Sequence, residues 1–246
     1  MVAHALVTPR LVRVVFAGPQ LAGFALELPA ASVRLLLPTP GRELEIPTWT
    51  GNEFLLADGT RPVLRTMTPL RAQEVAGSGP AVAIEMVVHG HGPASTWAAQ
   101  VEPGRPAALS GPGRGYAIDR GAPAFVLVGD ESALPAIRQL IAELPARTPA
   151  TVLIEIADAR ARAPLPPRDA TEVSWLELES GAAPGEAIVA AVLDLELVAG
   201  TAVWAAGEAA AMQRIRRHLF DERGLARTDA TVRGYWKVGR GGDAES

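Results

Sequence analysis

The spacing of apolar and polar residues changes halfway along the chain. In the first half, apolar residues come in short runs broken by glycine- and proline-rich turns. "LVRVVF" (11–16), "SVRLLLP" (32–38), "RPVLRTMT" (61–68) and "AVAIEMVVHG" (81–90) predict strands, and "GRPAALSG" (104–111) predicts a closing one. A single helix is expected at "GPASTWAAQV" (92–101), capped by Ser95 or opened by Pro93. Several short strands at this spacing indicate an antiparallel barrel or sandwich.

In the second half, continuous apolar runs alternate with helical periodicity. "AFVLVGD" (124–130), "ATVLIEIAD" (150–158), "TEVSWLEL" (171–178), "TAVWAAGE" (201–208) and "ATVRGYWKVG" (230–239) read as strands. Helices are expected at "SALPAIRQLIAEL" (132–144), "GEAIVAAVLDL" (185–195) and "AAAMQRIRRHLFDERG" (209–224), the last closed by Gly224. Strands alternating with helices imply a parallel sheet covered on both faces. The turn-rich "AIDRGAPA" (117–124) marks the boundary, giving domains at 1–120 and 121–246. Residues 159–170 and 239–246 are expected to be loop and tail. In such sheets a ligand sits outside the carboxyl ends of the strands, here "VGDES", "EIADAR" and "AAGEA".

Composition narrows the chemistry. With 246 residues, 48% hydrophobic and 20% charged, the chain can bury a substantial core. A net charge of −4 with no basic run argues against nucleic acid. The absence of cysteine excludes disulfides, thiolate nucleophiles and cysteine-held iron–sulfur clusters. His4, His89, His91 and His218 show no metal-binding spacing, so no metal site is expected. With neither a signal peptide nor a long apolar run, the expectation is a cytoplasmic monomer away from membranes. Of 23 basic residues only Lys237 is lysine, as a GC-rich genome would favour.

Four stretches carry candidate chemistry. In "RTMTPLR", Arg65 and Arg71 form either a solvated strand end or an anion site at a barrel rim. In "VVHGHGPASTWA", Gly92, Pro93, Ala94 and Ser95 open a helix whose backbone amides suit a diphosphate, unless this is an ordinary strand–turn–helix. His89 alone reads as a loop or core histidine. "LVGDESALPAI" lacks the G-x-G-x-x-G fingerprint, and its Asp130 and Glu131 would repel a phosphate. These two carboxylates either take a ribose or cap the helix. In "AGEA", Gly207 permits close approach of a nucleotide or simply turns, and Glu208 complements a helix dipole. After the second strand of this half, Asp158 suits a free ribose hydroxyl, whereas Arg160 and Arg162 would accept a phosphate, leaving NADH and NADPH both open. No nucleophile–base constellation is present, so a cofactor would carry any chemistry.

Taken in order, "RTMTPLR", "VVHGHGPASTWA", "GPGRG", "GDESALPAI", "AAGEAAAM" and "GYWKVG" resemble the siderophore-interacting protein family, which are FAD-dependent ferric-siderophore reductases akin to ferredoxin reductases. The resemblance implies an antiparallel six-stranded flavin-binding barrel followed by a parallel α/β nucleotide-binding domain. It further implies that Arg65 holds the FAD diphosphate, that Thr68 sits by the isoalloxazine, and that Thr66, Met67, His89 and Trp97 belong to the same motifs. Gly92, Pro93, Ala94 and Ser95 would line the diphosphate pocket. Gly129, Asp130, Glu131, Ser132, Gly207 and Glu208 would face NADH or NADPH. Arg34, Arg114 and Lys237 would attract an anionic ferric siderophore. The chain departs from the family where Met67 replaces a tyrosine, Leu70 an arginine and Arg34 a lysine. Two other readings stand beside this one: a flavin reductase with a different acceptor, and a binding protein that has lost tight FAD binding.

Overall fold

The computed structural model describes residues 1–90 and 92–239, so His91 and the expected tail beyond Gly239 lie outside the described residues. The chain forms two compact units, Met1–Tyr116 and Ala117–Gly239.

The first unit contains β1 (Ala3–Thr8), β2 (Leu11–Ala17), β3 (Val33–Leu37), β4 (Thr48–Trp49), β5 (Phe54–Leu55), β6 (Val63–Met67), β7 (Gln73–Val75), β8 (Gly79–Val87), α1 (Pro93–Gln100) and β9 (Ala108–Ser110). Every pairing among these strands is antiparallel. One sheet runs β1-β2-β8-β7 and another β6-β3-β9, with β4-β5 as a separate ribbon. The two sheets meet just after β6, where Pro69 bridges Ile84 and the Leu70 N–H donates to the Ala83 carbonyl at 2.7 Å. Alternation decides what fills the barrel. Val12, Val14 and Phe16 of β2, Val33, Leu35 and Leu37 of β3, and Val82, Ile84 and Met86 of β8 all point inward. Ala98 and Val101 close the core from the α1 end, and Trp97 stacks on Phe16 at 6.2 Å.

The five strands predicted for this unit are present. Sequence pattern missed β1, β7 and the β4–β5 ribbon, because these are edges held by backbone pairing. The first four residues of β1 are exposed, and two of the three in β7 are. Such strands bury too little apolar surface to alternate.

The second unit contains β10 (Phe125–Asp130), α2 (Leu134–Glu143), β11 (Ala150–Ile156), β12 (Thr171–Glu177), α3 (Glu186–Asp194), β13 (Ala202–Glu208), α4 (Ala209–Arg217) and β14 (Ala230–Trp236). Its sheet is wholly parallel, in the order β12-β11-β10-β13-β14. Val126, Val128 and Val203 pack with α3 and α4 on one face. Gly129 lies on the other face, beneath Ala133 and Ile137 at the start of α2. The helix begun by α4 continues as a π-turn over His218–Glu222 and stops at Gly224, whose φ is +68°. There the Leu225 N–H reaches back to the Leu219 carbonyl at 2.9 Å, satisfying an orphan acceptor of the helix end. Among the described residues, no helix is long and apolar enough to cross a membrane.

Gly129 shows how tightly this sheet is covered. A Cβ there would fall 2.5 Å from the Ala133 Cβ and 2.9 Å from the Ala206 carbonyl oxygen, neither of which can swing aside. Gly129→Ala is therefore expected to cost about 1–3 kcal/mol through overpacking. Thermal unfolding of the purified variant would show this as a lowered Tm, and an unchanged Tm would contradict the packing described.

Candidate functional site

In the first unit, the residues of the arginine–threonine motif lie on β6, between β3 and the bridge to β8. The register pairs Leu35 with Arg65 and Val33 with Met67, and it pairs Arg34 with Thr66. Because strand side chains alternate, Arg65 and Met67 share the face of Val33 and Leu35, while Arg34 and Thr66 occupy the opposite face. Met67 is half-buried and packs against the barrel core. The half-buried Arg65 donates from Nη1 to the Leu64 carbonyl at 2.7 Å, and Thr68 is buried. Arg34 is exposed, stands between Thr66 and Ser110, and rests its guanidinium 5.7 Å from the centre of the Phe54 ring. Sequence reasoning grouped Arg34 with the charges around a flavin; the register sets it back to back with Arg65. Arg114 and Lys237 are both exposed.

The start of α1 has a distinctive chemistry. Pro93 occupies the first turn, and Gly92 caps the helix at φ +75° with open space where its side chain would be. No side chain caps this end and no acidic residue sits in its first turn. Of the two starts considered from sequence, proline is the one used. The buried Ser95 is occupied elsewhere, its Oγ accepting the His89 N–H at 3.0 Å and so tying strand end to helix start. Trp97 is part of the barrel packing. The result is a helix end with no capping side chain, a positive dipole end and open space beside Gly92.

In the second unit, acids stand at the starts of the 3-10 turn Glu131–Ala133 that leads into α2, of α3 and of α4. Asp130 Oδ1 accepts from the Ser132 N–H at 2.9 Å and the Ser132 hydroxyl at 2.5 Å. Its Oδ2 accepts from the Glu208 N–H at 3.1 Å and from the Trp236 indole N–H at 2.7 Å. Glu131 accepts from the Ala157 N–H at 2.8 Å. Glu208 caps α4 through the Ala210 and Ala211 N–H groups at 2.6 and 3.0 Å. Glu155 reaches from β11 to the start of α3, accepting from Gly185, Ala187 and Ile188 at 2.6, 3.0 and 3.3 Å. All four acids are buried. Burial pushes the Asp130 and Glu155 carboxyls above their ordinary ranges, while the donated hydrogen bonds pull them back down. Gly207 is explained by the same packing, since a Cβ there would stand 2.8 Å from Asp130 Oδ2. Gly129, Asp130, Glu131, Ser132, Gly207 and Glu208 are thus gathered at the carboxyl edge of the sheet, with the carboxylates already satisfied by protein donors. Sequence reasoning did not single out Glu155 as a cap, nor Trp236 as a partner of Asp130. The signal for Glu155 was one acid inside the apolar run "VLIEI".

The comparisons with known proteins now bear on these two units. Residues 1–116 match the model of the siderophore-interacting FAD-binding domain, and residues 122–239 match that of the siderophore-interacting protein. The chain belongs to the siderophore-interacting protein family. A siderophore utilization protein from T. fusca is similar in structure, with a TM-score of 0.82 and 36% identity, over 98% of this chain and 92% of that one. The ferric vibriobactin reductase ViuB of Vibrio cholerae is 25% identical over 243 residues, covering 97% of this chain and 88% of ViuB. The ferredoxin reductase of carbazole 1,9a-dioxygenase, at 17% identity and a TM-score of 0.65, over 95% of this chain and 67% of that one, shares the fold. This siderophore-interacting protein therefore has the ferredoxin-reductase architecture, a flavin-type antiparallel barrel followed by a parallel α/β unit, with FAD as the family cofactor. The uncapped, sterically open start of α1 fits the diphosphate of that cofactor.

Asp130→Asn tests the carboxyl-edge network. An amide keeps one acceptor oxygen but turns an N–H₂ group toward two donors, leaving buried groups unpaired. The expected destabilisation is about 1–3 kcal/mol in chemical denaturation, without any ligand present. Equal stability of the variant would show that the four bonds do not hold the edge together.

Proposed function

We propose that this protein is a ferric-siderophore reductase that draws electrons from NAD(P)H by way of FAD. The observation that carries this reading is the open start of α1 in a unit that matches the family's FAD-binding domain. The helical segments of the second unit that begin behind Asp130, Gly185 and Glu208 start against the protein's own acids, whereas this one has neither a capping side chain nor an acid in its first turn. The likeness to a ferric vibriobactin reductase over almost the whole chain supports the choice of acceptor.

FAD, when bound, accepts a hydride and passes electrons on singly. The residues of the chain would do the rest. Gly92 to Ser95 and Arg65 hold the diphosphate through backbone dipole and a planar, permanently charged fork. The buried hydroxyl of Thr68 and the thioether of Met67 would border the ring system. The carboxyl edge of the parallel sheet, where such folds bind nucleotides, would receive the NAD(P)H. One NAD(P)H carries two electrons and so reduces two Fe(III) centres to Fe(II), releasing one proton and NAD(P)⁺. Hard oxygen donors that suit Fe(III) hold Fe(II) less well, so reduction frees the iron from its chelate. The exposed Arg114 and Lys237 would draw in an anionic chelate. The protein would act in the cytoplasm, as a monomer.

The protein is expected to purify yellow, with non-covalent FAD. It should consume NAD(P)H faster when a ferric siderophore is supplied, with two Fe(II) trapped per nucleotide oxidised. NAD(P)H consumption indifferent to the chelate would transfer the proposal to another acceptor. Arg65→Ala is expected to remain folded by circular dichroism yet to bind FAD about 10–100-fold more weakly, as befits one lost charge-assisted contact of roughly 1.5–3 kcal/mol. Retention of stoichiometric FAD by that variant would remove Arg65 from the diphosphate site.

A further inference from the structure

Four strands of the parallel sheet, β10 to β13, lead from their carboxyl ends into a helical segment, and at the start of each segment a carboxylate already accepts backbone N–H groups. After β10, Asp130 accepts the Ser132 N–H in the turn that leads into α2. After β11, Asp158 accepts the Arg160 N–H at 2.9 Å and caps the 3-10 turn Ala159–Ala161. After β12, Glu155 accepts from Gly185, Ala187 and Ile188 at the start of α3. After β13, Glu208 accepts from Ala210 and Ala211 at the start of α4. In sheets of this kind a diphosphate is held by those same amides and by the dipole behind them. Two arginines of the edge are committed as well. Arg160 folds back on Asp158, Nε to Oδ1 at 3.0 Å and Nη2 to Oδ2 at 3.1 Å, and Arg162 pairs with Glu177 at 3.2 Å. Lys237 stands exposed just beyond β14, a single charge that salt screens.

We propose that the second unit recognises its electron donor by the dihydronicotinamide riboside alone, so that the protein accepts reduced nicotinamide riboside as readily as NAD(P)H; the inference rests on the reading of the carboxyl edge as the donor site. A dinucleotide approaching that edge brings an anionic diphosphate toward helix starts that acids already fill. Three of these acids, Asp130, Glu155 and Glu208, are buried. None can yield its amides to a phosphate without leaving its own carboxylate short of donors inside the protein. The diphosphate and the adenosine beyond it therefore stay in solvent and add no affinity. The riboside, by contrast, is uncharged, and its hydroxyls donate hydrogen bonds that carboxylates accept. The smaller donor leaves the chemistry unchanged. The C4–H bond of its dihydropyridine breaks, the hydride passes with its electron pair to FAD, and the ring leaves as the pyridinium riboside.

The test uses the whole FAD-loaded protein at about 0.15 M salt, where exposed charges such as Lys237 are largely screened. NADH, NADPH and reduced nicotinamide riboside are each mixed with it anaerobically, and bleaching of the flavin absorbance gives the half-saturating concentration of each donor. Calorimetric titration with ADP-ribose, the part of NADH that carries the diphosphate and the adenosine, reads that part without turnover. The three half-saturating concentrations are expected to differ by less than about tenfold, the least that one charge-assisted hydrogen bond to a diphosphate would add. ADP-ribose is expected neither to bind nor to slow bleaching by the riboside. Half-saturation by NADH or NADPH at a concentration about tenfold or more below that of the riboside, bleaching by the dinucleotides but not by the riboside, or ADP-ribose that binds as tightly as NADH overturns the inference while leaving the reductase reading intact. Bleaching by none of the three donors overturns both.

Discussion

A carboxylate buried among strand ends is tolerable only if the protein supplies enough donors to replace water. Asp130 meets that condition with four, contributed by Ser132, Glu208 and Trp236. Much of the sequence around the carboxyl edge follows from this one group. Residue 207 has to be glycine because the carboxylate occupies the volume of its side chain. Trp236 has to present an indole N–H, which ties β14 to β10 although β13 lies between them. Ser132 has to follow two residues on, so that one oxygen receives both its amide and its hydroxyl. Removing any one donor would leave the buried carboxylate short of a hydrogen bond, a cost that falls on the shared acceptor and so couples these residues.

The same logic assigns the two units different electrostatic tasks. A helix start left open attracts anions, and one closed by a carboxylate repels them. The second unit closes its helix starts with Asp130, Glu155 and Glu208, gaining stability for a sheet whose strand ends would otherwise leave amides unsatisfied. It thereby gives up phosphate binding at those points, which agrees with the missing glycine-rich fingerprint. The first unit leaves the start of α1 behind Gly92 without a capping side chain or a first-turn acid, so nothing there repels an anion.

How far the sequence could be read depended on where each signal was stored. The strands β10, β11 and β13 were legible because burial on both faces forces continuous apolar runs. The edges β1 and β7 were not, since their pairing is made by backbone atoms that every residue possesses. At the site, the residues could be picked out but their roles could not. An acid before a helix looks the same whether it caps the helix or grips a ribose, and for Asp130 the deciding partner lies 106 residues away at Trp236. Asp158 and Arg160 presented the same ambiguity at a spacing of two, and in the structure they pair with each other.

The motif on β6 carries a further constraint that sequence motifs hide. Successive residues of a strand point to opposite sides, so neighbouring side chains of the motif face different surfaces. Thr66 turns with Arg34 toward the outer surface, while Arg65 and Met67 turn together with Leu35 and Val33. On that inner-facing side a tyrosine would bring a hydroxyl that needs a partner once buried, and a flavin offers polar atoms to supply one. Methionine makes no such demand. Its thioether packs against the barrel cluster with or without a ring beside it. The substitution therefore removes a polar demand from this face of β6, which the barrel cluster packs against without a further partner.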